Sequence, residues 1–127
     1  MDSQTLVKEI CPATTQKWIK KGALLVDVRE EDEVKELAYD APNLIYIPLS
    51  EFEERWNEIP KNKNVIMVCS AGSRSLRAAG FLVNQGYTNV VNMRHGIQRW
   101  VQKGFPTTGN RLSVTEHGSC SSGSNCC

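Results

Sequence analysis

The stretch Val65-Ile66-Met67-Val68-Cys69-Ser70-Ala71-Gly72-Ser73-Arg74-Ser75-Leu76-Arg77-Ala78-Ala79-Gly80-Phe81-Leu82-Val83 decides the fold. Its first four residues are an unbroken apolar run, the pattern of a strand buried on both faces in a parallel sheet. From Ser75 to Val83 the apolar residues recur at helical spacing. A strand running through a small-residue loop into a helix is the repeating step of an open α/β sheet, which places its ligands outside the C-terminal ends of the strands. Cys69 stands at such an end. The next helix aims free backbone N–H groups and its positive dipole end at the loop. Gly72, with the small Ser70, Ala71 and Ser73, lets the backbone curl around the sulfur as a nest of amides. Arg74 adds a full charge. All of these favour thiolate over thiol, so Cys69 is expected to be reactive near neutral pH. A lone cysteine after a strand is more often a small core residue; the glycine, the arginine and the strand–loop–helix context weigh against that here.

On either side of this stretch the chain alternates the same two patterns. Pro12 to Lys21 reads as an amphipathic helix ended by Gly22. Leu24 to Val28 reads as a buried strand, Glu31 to Leu37 as a short acidic helix, and Leu44 to Ile47 as a second apolar run closed by Pro48. Ser50, with Glu53 three residues later, has capping-box spacing for a helix to about Asn57. Pro60 and Asn62-Lys63-Asn64 turn into the Cys69 strand, whose helix ends near Gly86. Asn89 to Asn92 reads as a short strand, and Ile97 to Lys103 as a last helix stopped by Gly104 and Pro106. The expected fold is α/β, a central, mostly parallel sheet with helices on both faces. It occupies residues 1–106. Residues 107–127 are Ser/Gly/Cys-rich, almost without apolar residues, and read as a flexible tail.

The 127 residues suit one domain with a real core. No apolar stretch approaches the roughly 18 residues that span a membrane, and Met1-Asp2-Ser3-Gln4-Thr5 lacks a signal pattern. A cytoplasmic location is the expectation, with no membrane partner. Thirteen of the fourteen acidic residues precede Cys69; from Cys69 onward six Lys and Arg face a single acid, Glu116. A cationic half around a reactive thiol favours small anionic substrates, unless Arg77, Arg94 and Arg99 merely solvate helix faces. No dense basic run with interleaved aromatics points to nucleic acid. Five cysteines, three crowded in the last eight residues, are not a secreted disulfide framework.

In order along the chain, Leu24-Leu25-Val26-Asp27-Val28-Arg29-Glu30, the loop Cys69-Ser70-Ala71-Gly72-Ser73-Arg74-Ser75 with Ala78-Ala79 following, Gly86-Tyr87-Thr88-Asn89-Val90 and Gly96-Ile97-Gln98-Arg99-Trp100 resemble the rhodanese family of single-domain sulfurtransferases. The match covers roughly residues 5–106. Two segments depart from the family pattern. Leu37-Ala38-Tyr39-Asp40-Ala41-Pro42 replaces a Gly-His-Ile-Pro-Gly-like element, and Arg94-His95-Gly96 stands where Gly-Gly is frequent. His95 and Arg94 there either flank the pocket or form a surface turn. The resemblance implies sulfur transfer through a Cys69 persulfide, from thiosulfate or another small anionic donor to a thiol or cyanide acceptor, a protein thiol included, without a cofactor. It implies substrate binding by Ser70, Ala71, Gly72, Ser73, Arg74 and Ser75. Arg74 either binds the donor bidentately or forms an ion pair with a loop or strand carboxylate. Asp27 and Arg29 are expected to pin the strand end near the loop.

Two other functions compete. Dual-specificity phosphatases and eukaryotic-type arsenate reductases also carry Cys and Arg on one loop, but separate them by five residues, where this chain has four. A non-enzymatic sulfur carrier or regulatory module is the second. In the tail, Cys120, Cys126 and Cys127, with His117, offer thiolates to a soft metal or arsenic(III), although the spacing matches no zinc pattern. They equally suit a relay taking sulfur from Cys69, or no role.

Overall fold

The computed structural model describes residues 7–109. Its centre is a five-stranded, wholly parallel sheet in the order β1-β6-β5-β2-β4, with β1 at Lys8–Ile10, β2 at Leu24–Asp27, β4 at Leu44–Tyr46, β5 at Val65–Val68 and β6 at Val90–Met93. The helices are α1 (Pro12–Lys20), α2 (Glu31–Glu36), α3 (Phe52–Arg55, between two 3-10 turns), α4 (Ser73–Asn84) and α5 (Gly96–Gln102).

The two-residue period of a strand sorts the core into two layers. Val65, Met67 and Cys69 join Leu24, Val26 and Val28 under Phe52 of α3 and Ala78, Ala79 and Leu82 of α4. Ile66 and Val68 join Leu25, Val91 and Met93 on the opposite face, under Ile19 of α1 and Ile97, Trp100 and Val101 of α5. Val65 through Val68 are all fully buried, as a strand covered on both sides must be. The expected α/β architecture is therefore the one observed.

Four local expectations are corrected. Leu37–Tyr39, read as the end of a helix and a loop, is a strand, β3; it pairs antiparallel with Thr107–Gly109, β7, the first three residues of the segment read as tail. The pairing is anchored in the core, since Leu37 and Tyr39 are buried and Tyr39 stacks edge-on against Trp100 with centroids 5.2 Å apart. The edge strand β1 was not expected at all. Ser50 does not cap α3; its hydroxyl donates to Glu30 Oε1 at 3.0 Å instead. Finally, the cysteine pattern predicted no disulfide framework, yet Cys11 is disulfide-bonded, and Cys69 is the free cysteine among the described residues. No described helix is long and apolar enough to cross a membrane.

Candidate active site

Cys69 is the first residue beyond β5, at the sheet's C-terminal edge, and its side chain is fully buried. The chain then turns sharply through Gly72, at φ +101°, which is the N-cap of α4. That left-handed conformation suits glycine, and a Cβ there would lie 3.1 Å from the His95 nitrogen. The turn brings two backbone donors onto one sulfur, the Gly72 N–H at 3.0 Å and the Ser75 N–H at 3.4 Å, and sets the Ser75 hydroxyl oxygen 3.3 Å from it. Two backbone amides at a helix N-terminus stabilise negative charge on Sγ or on a group bonded to it.

The loop is held from outside as well. The Cys69 carbonyl accepts from the Tyr39 hydroxyl at 2.7 Å and from the Ile97 N–H at 2.9 Å. Gly96, at φ +60°, lies so close that an added Cβ would fall 2.2 Å from the Ser70 oxygen. Burial, then the neighbouring Asp27 carboxylate, push the Tyr39 hydroxyl well above its ordinary pKa, which keeps it a proton donor to that carbonyl.

Arg74 lies in the first turn of α4 and forms a two-pronged ion pair with Glu33 of α2, at 2.8 and 2.9 Å. The hydrogen bond from Arg74 is the largest influence on Glu33 and lowers its pKa; the same bond, accepted by Glu33, raises the pKa of Arg74. Glu33 Oε1 also accepts from the Glu30 N–H at 3.0 Å, and Glu30 reaches Ser50, so a polar chain ties α4 to α2 and the turn before α3. Arg74 was expected to bind the donor or to pair with a loop or strand carboxylate; the structure pairs it with a carboxylate of helix α2. Asp27 and Arg29 form a buried, multiply bonded pair, Nη2 to Oδ2 at 2.9 Å, with Arg29 also over the Tyr39 ring at 5.4 Å.

Of Ser70 to Ser75, Gly72 and Ser75 hydrogen-bond the sulfur and are buried, while Ala71 and Ser73 are exposed. Arg94 and His95 are exposed at the turn into α5, and His95 borders a hollow of about 250 Å³ beside Ala71 and Arg99. Among the described residues no group of three or more His, Cys, Asp or Glu is placed to hold a metal. Cys120, Cys126, Cys127 and His117 lie outside the described residues. Sequence reasoning missed Glu33, Tyr39 and Asn92. Only Asn92 carried a local signal, a lone amide in the run Val90-Val91-Asn92-Met93.

The chain was compared with known proteins. The rhodanese-like domain model matches residues 12–103. A sulfurtransferase of Allochromatium vinosum is 37% identical over 86 residues, 68% of this chain and 78% of that protein. Thiosulfate sulfurtransferase GlpE of Haemophilus influenzae is 31% identical over 100 residues, 78% of this chain and 92% of that one. The crystal structure of a rhodanese-related protein from Thermoplasma volcanium superposes with a TM-score of 0.71 at 34% identity, covering 80% of this chain and 97% of the other.

Proposed function

The chain belongs to the rhodanese-like domain family, and from that premise we propose that it is a sulfurtransferase whose Cys69 carries the sulfur as a persulfide. The observation that carries this reading is the pair of backbone N–H groups converging on a buried Sγ at the head of α4, with the Ser75 hydroxyl also within reach. The Cys69 thiolate attacks the outer sulfur of thiosulfate. A Cys69–S bond forms, the donor S–S bond breaks, and sulfite departs with the bonding pair. The negative charge now rests on the outer persulfide sulfur, where backbone N–H groups of Ser70, Ala71, Gly72, Ser73 and Ser75 receive it as an oxyanion hole receives its charge. An acceptor nucleophile, a thiolate or cyanide, takes the outer sulfur and returns Cys69 as thiolate. This is double-displacement covalent catalysis.

Within this mechanism Arg74 acts by holding the first turn of α4 through Glu33. Four residues between Cys69 and Arg74 make a tight ring, which suits one sulfur atom better than a tetrahedral oxyanion. The similarity to a thiosulfate sulfurtransferase supports thiosulfate as the donor to try first. The test is thiocyanate formation from thiosulfate and cyanide by the full chain and by Cys69→Ser. Turnover that disappears with Cys69→Ser supports the enzyme. Turnover retained in Cys69→Ser contradicts it. Sulfur loading on Cys69 without discharge to cyanide favours a carrier that delivers to one partner.

A further inference from the structure

Asn92 is a fully buried amide in the otherwise apolar strand β6. A buried amide persists where its polar atoms are partnered, and these are. Nδ2 donates to Glu9 Oε2 at 2.8 Å and to the Gly72 carbonyl at 3.1 Å; Oδ1 accepts a short bond from the Ser75 hydroxyl. That hydroxyl has one proton and three acceptors within reach: Asn92 Oδ1, the Gly72 oxygen at 3.2 Å and Cys69 Sγ at 3.3 Å. Asn92 offers the nearest.

The direction of this one proton distinguishes the states of Cys69. With the proton on Asn92, the Ser75 oxygen turns a lone pair to Sγ. A thiol S–H donates into that lone pair, and the uncharged inner sulfur of a persulfide needs no donor. A thiolate needs the proton itself, and taking it leaves Asn92 Oδ1 buried and unpaired, which is costly. We propose that Asn92 is a positioning residue which, through the Ser75 hydroxyl, disfavours the thiolate relative to the two states with an uncharged Sγ, the thiol and the persulfide. It thereby retains sulfur on Cys69 until an acceptor arrives. In discharge the acceptor thiolate bonds to the outer sulfur, the S–S bond breaks, and Cys69 leaves as thiolate, the state that Asn92 opposes. The persulfide part of this proposal rests on the sulfur-transfer reading; the thiol part does not.

The test is the rate of Cys69 alkylation by iodoacetamide in the full chain at one fixed pH, followed on the Cys69 peptide by mass spectrometry so that other cysteines do not contribute. Asn92→Leu keeps the branched shape and heavy-atom count and removes the competing acceptor. Its loss leaves the Gly72 oxygen with the Leu76 N–H at 3.2 Å and leaves Glu9 to solvent. Alkylation should become about three- to ten-fold faster, the range of one neutral hydrogen bond. Ser75→Ala should slow it, because the thiolate loses a donor, and Asn92→Leu should then change nothing further. Asn92→Val, a good strand residue, serves if the leucine variant does not fold. An unchanged or slower rate in a folded Asn92 variant overturns the proposal, and so does the same acceleration in the Ser75→Ala background, since a purely structural defect would not act through that hydroxyl. Discharge of a thiosulfate-loaded Cys69 to cyanide should also be faster in Asn92→Leu. If thiosulfate loads no sulfur on the unsubstituted protein, the sulfur-transfer reading fails, while the alkylation rates still decide the role of Asn92.

Discussion

The guanidinium of Arg74 and the carboxylate of Glu33, 41 residues apart in sequence, meet through two hydrogen bonds of 2.8 and 2.9 Å. The pair is about one-third exposed, so solvent limits it to about 0.5–1 kcal/mol. Its main effect is geometric, because it fixes the turn that aims the Gly72 and Ser75 donors at Cys69. Arg74→Ala and Glu33→Gln should therefore each destabilise the protein slightly in urea titrations, and the double variant should lose no more than either alone. Thiosulfate KM should change little. A large rise in KM with unchanged stability would return Arg74 to donor binding.

The same pair predicts a pH dependence. The hydrogen bond from Arg74 holds the Glu33 carboxyl below its ordinary 4.5 in the folded protein. On acidification the unfolded chain takes up this proton first, so the contribution is complete above about pH 4.5 and is lost as pH falls through the lower folded value. The difference in melting temperature between the unsubstituted protein and Glu33→Gln should be constant from pH 7 to 5 and shrink below that. A difference that grows on acidification would contradict the assignment.

Gly96→Ala should damage fold and site together. Its Cβ would lie 2.2 Å from the Ser70 oxygen, at a φ of +60°, whereas Gly104, at φ +76°, has nothing within 4 Å. Gly104→Ala should cost about 1 kcal/mol from backbone conformation alone. Gly96→Ala should cost clearly more, because backbone must move, and should slow Cys69 alkylation. Equal losses in the two variants would refute the close approach.

His95 adopts φ +70° where glycine would be relaxed. It is exposed, beside Arg94 in the turn before α5. His95→Gly should remove about 1 kcal/mol of backbone strain, with part of that gain offset by the freer unfolded chain. Thiocyanate formation should stay near its original rate. A marked fall in kcat would place the imidazole in the reaction.

The features readable in the sequence were those encoded locally. Val65–Val68 is apolar on both faces, so a doubly covered strand followed from it, and Cys69 and Gly72 were singled out by the strand–loop–helix step, Ser75 by the family resemblance. The missing pieces depend on partners distant in the chain. β3 and β7 are three residues each and are strands because Leu37 and Tyr39 pack on the core while Thr107–Gly109 lies beside them. β1 is equally short, with Lys8 and Glu9 exposed. Ser50 matched a capping box through Glu53, but Glu30 took its hydroxyl. The carboxylate that answers Arg74 lies on α2, read only as a short acidic helix in which no single acid stands out. Asn92 makes sense only once Ser75, Gly72 and Glu9 have converged on it.

The most direct measurement of the central claim is peptide mass spectrometry of the full chain after incubation with thiosulfate and removal of excess donor. The account predicts a gain of one sulfur atom on the peptide containing Cys69, removed by cyanide and absent in Cys69→Ser, with that variant still folded because serine fits among the same hydrogen-bonding groups. A chain that gains no sulfur on this peptide, or an equal gain in Cys69→Ser, would contradict it.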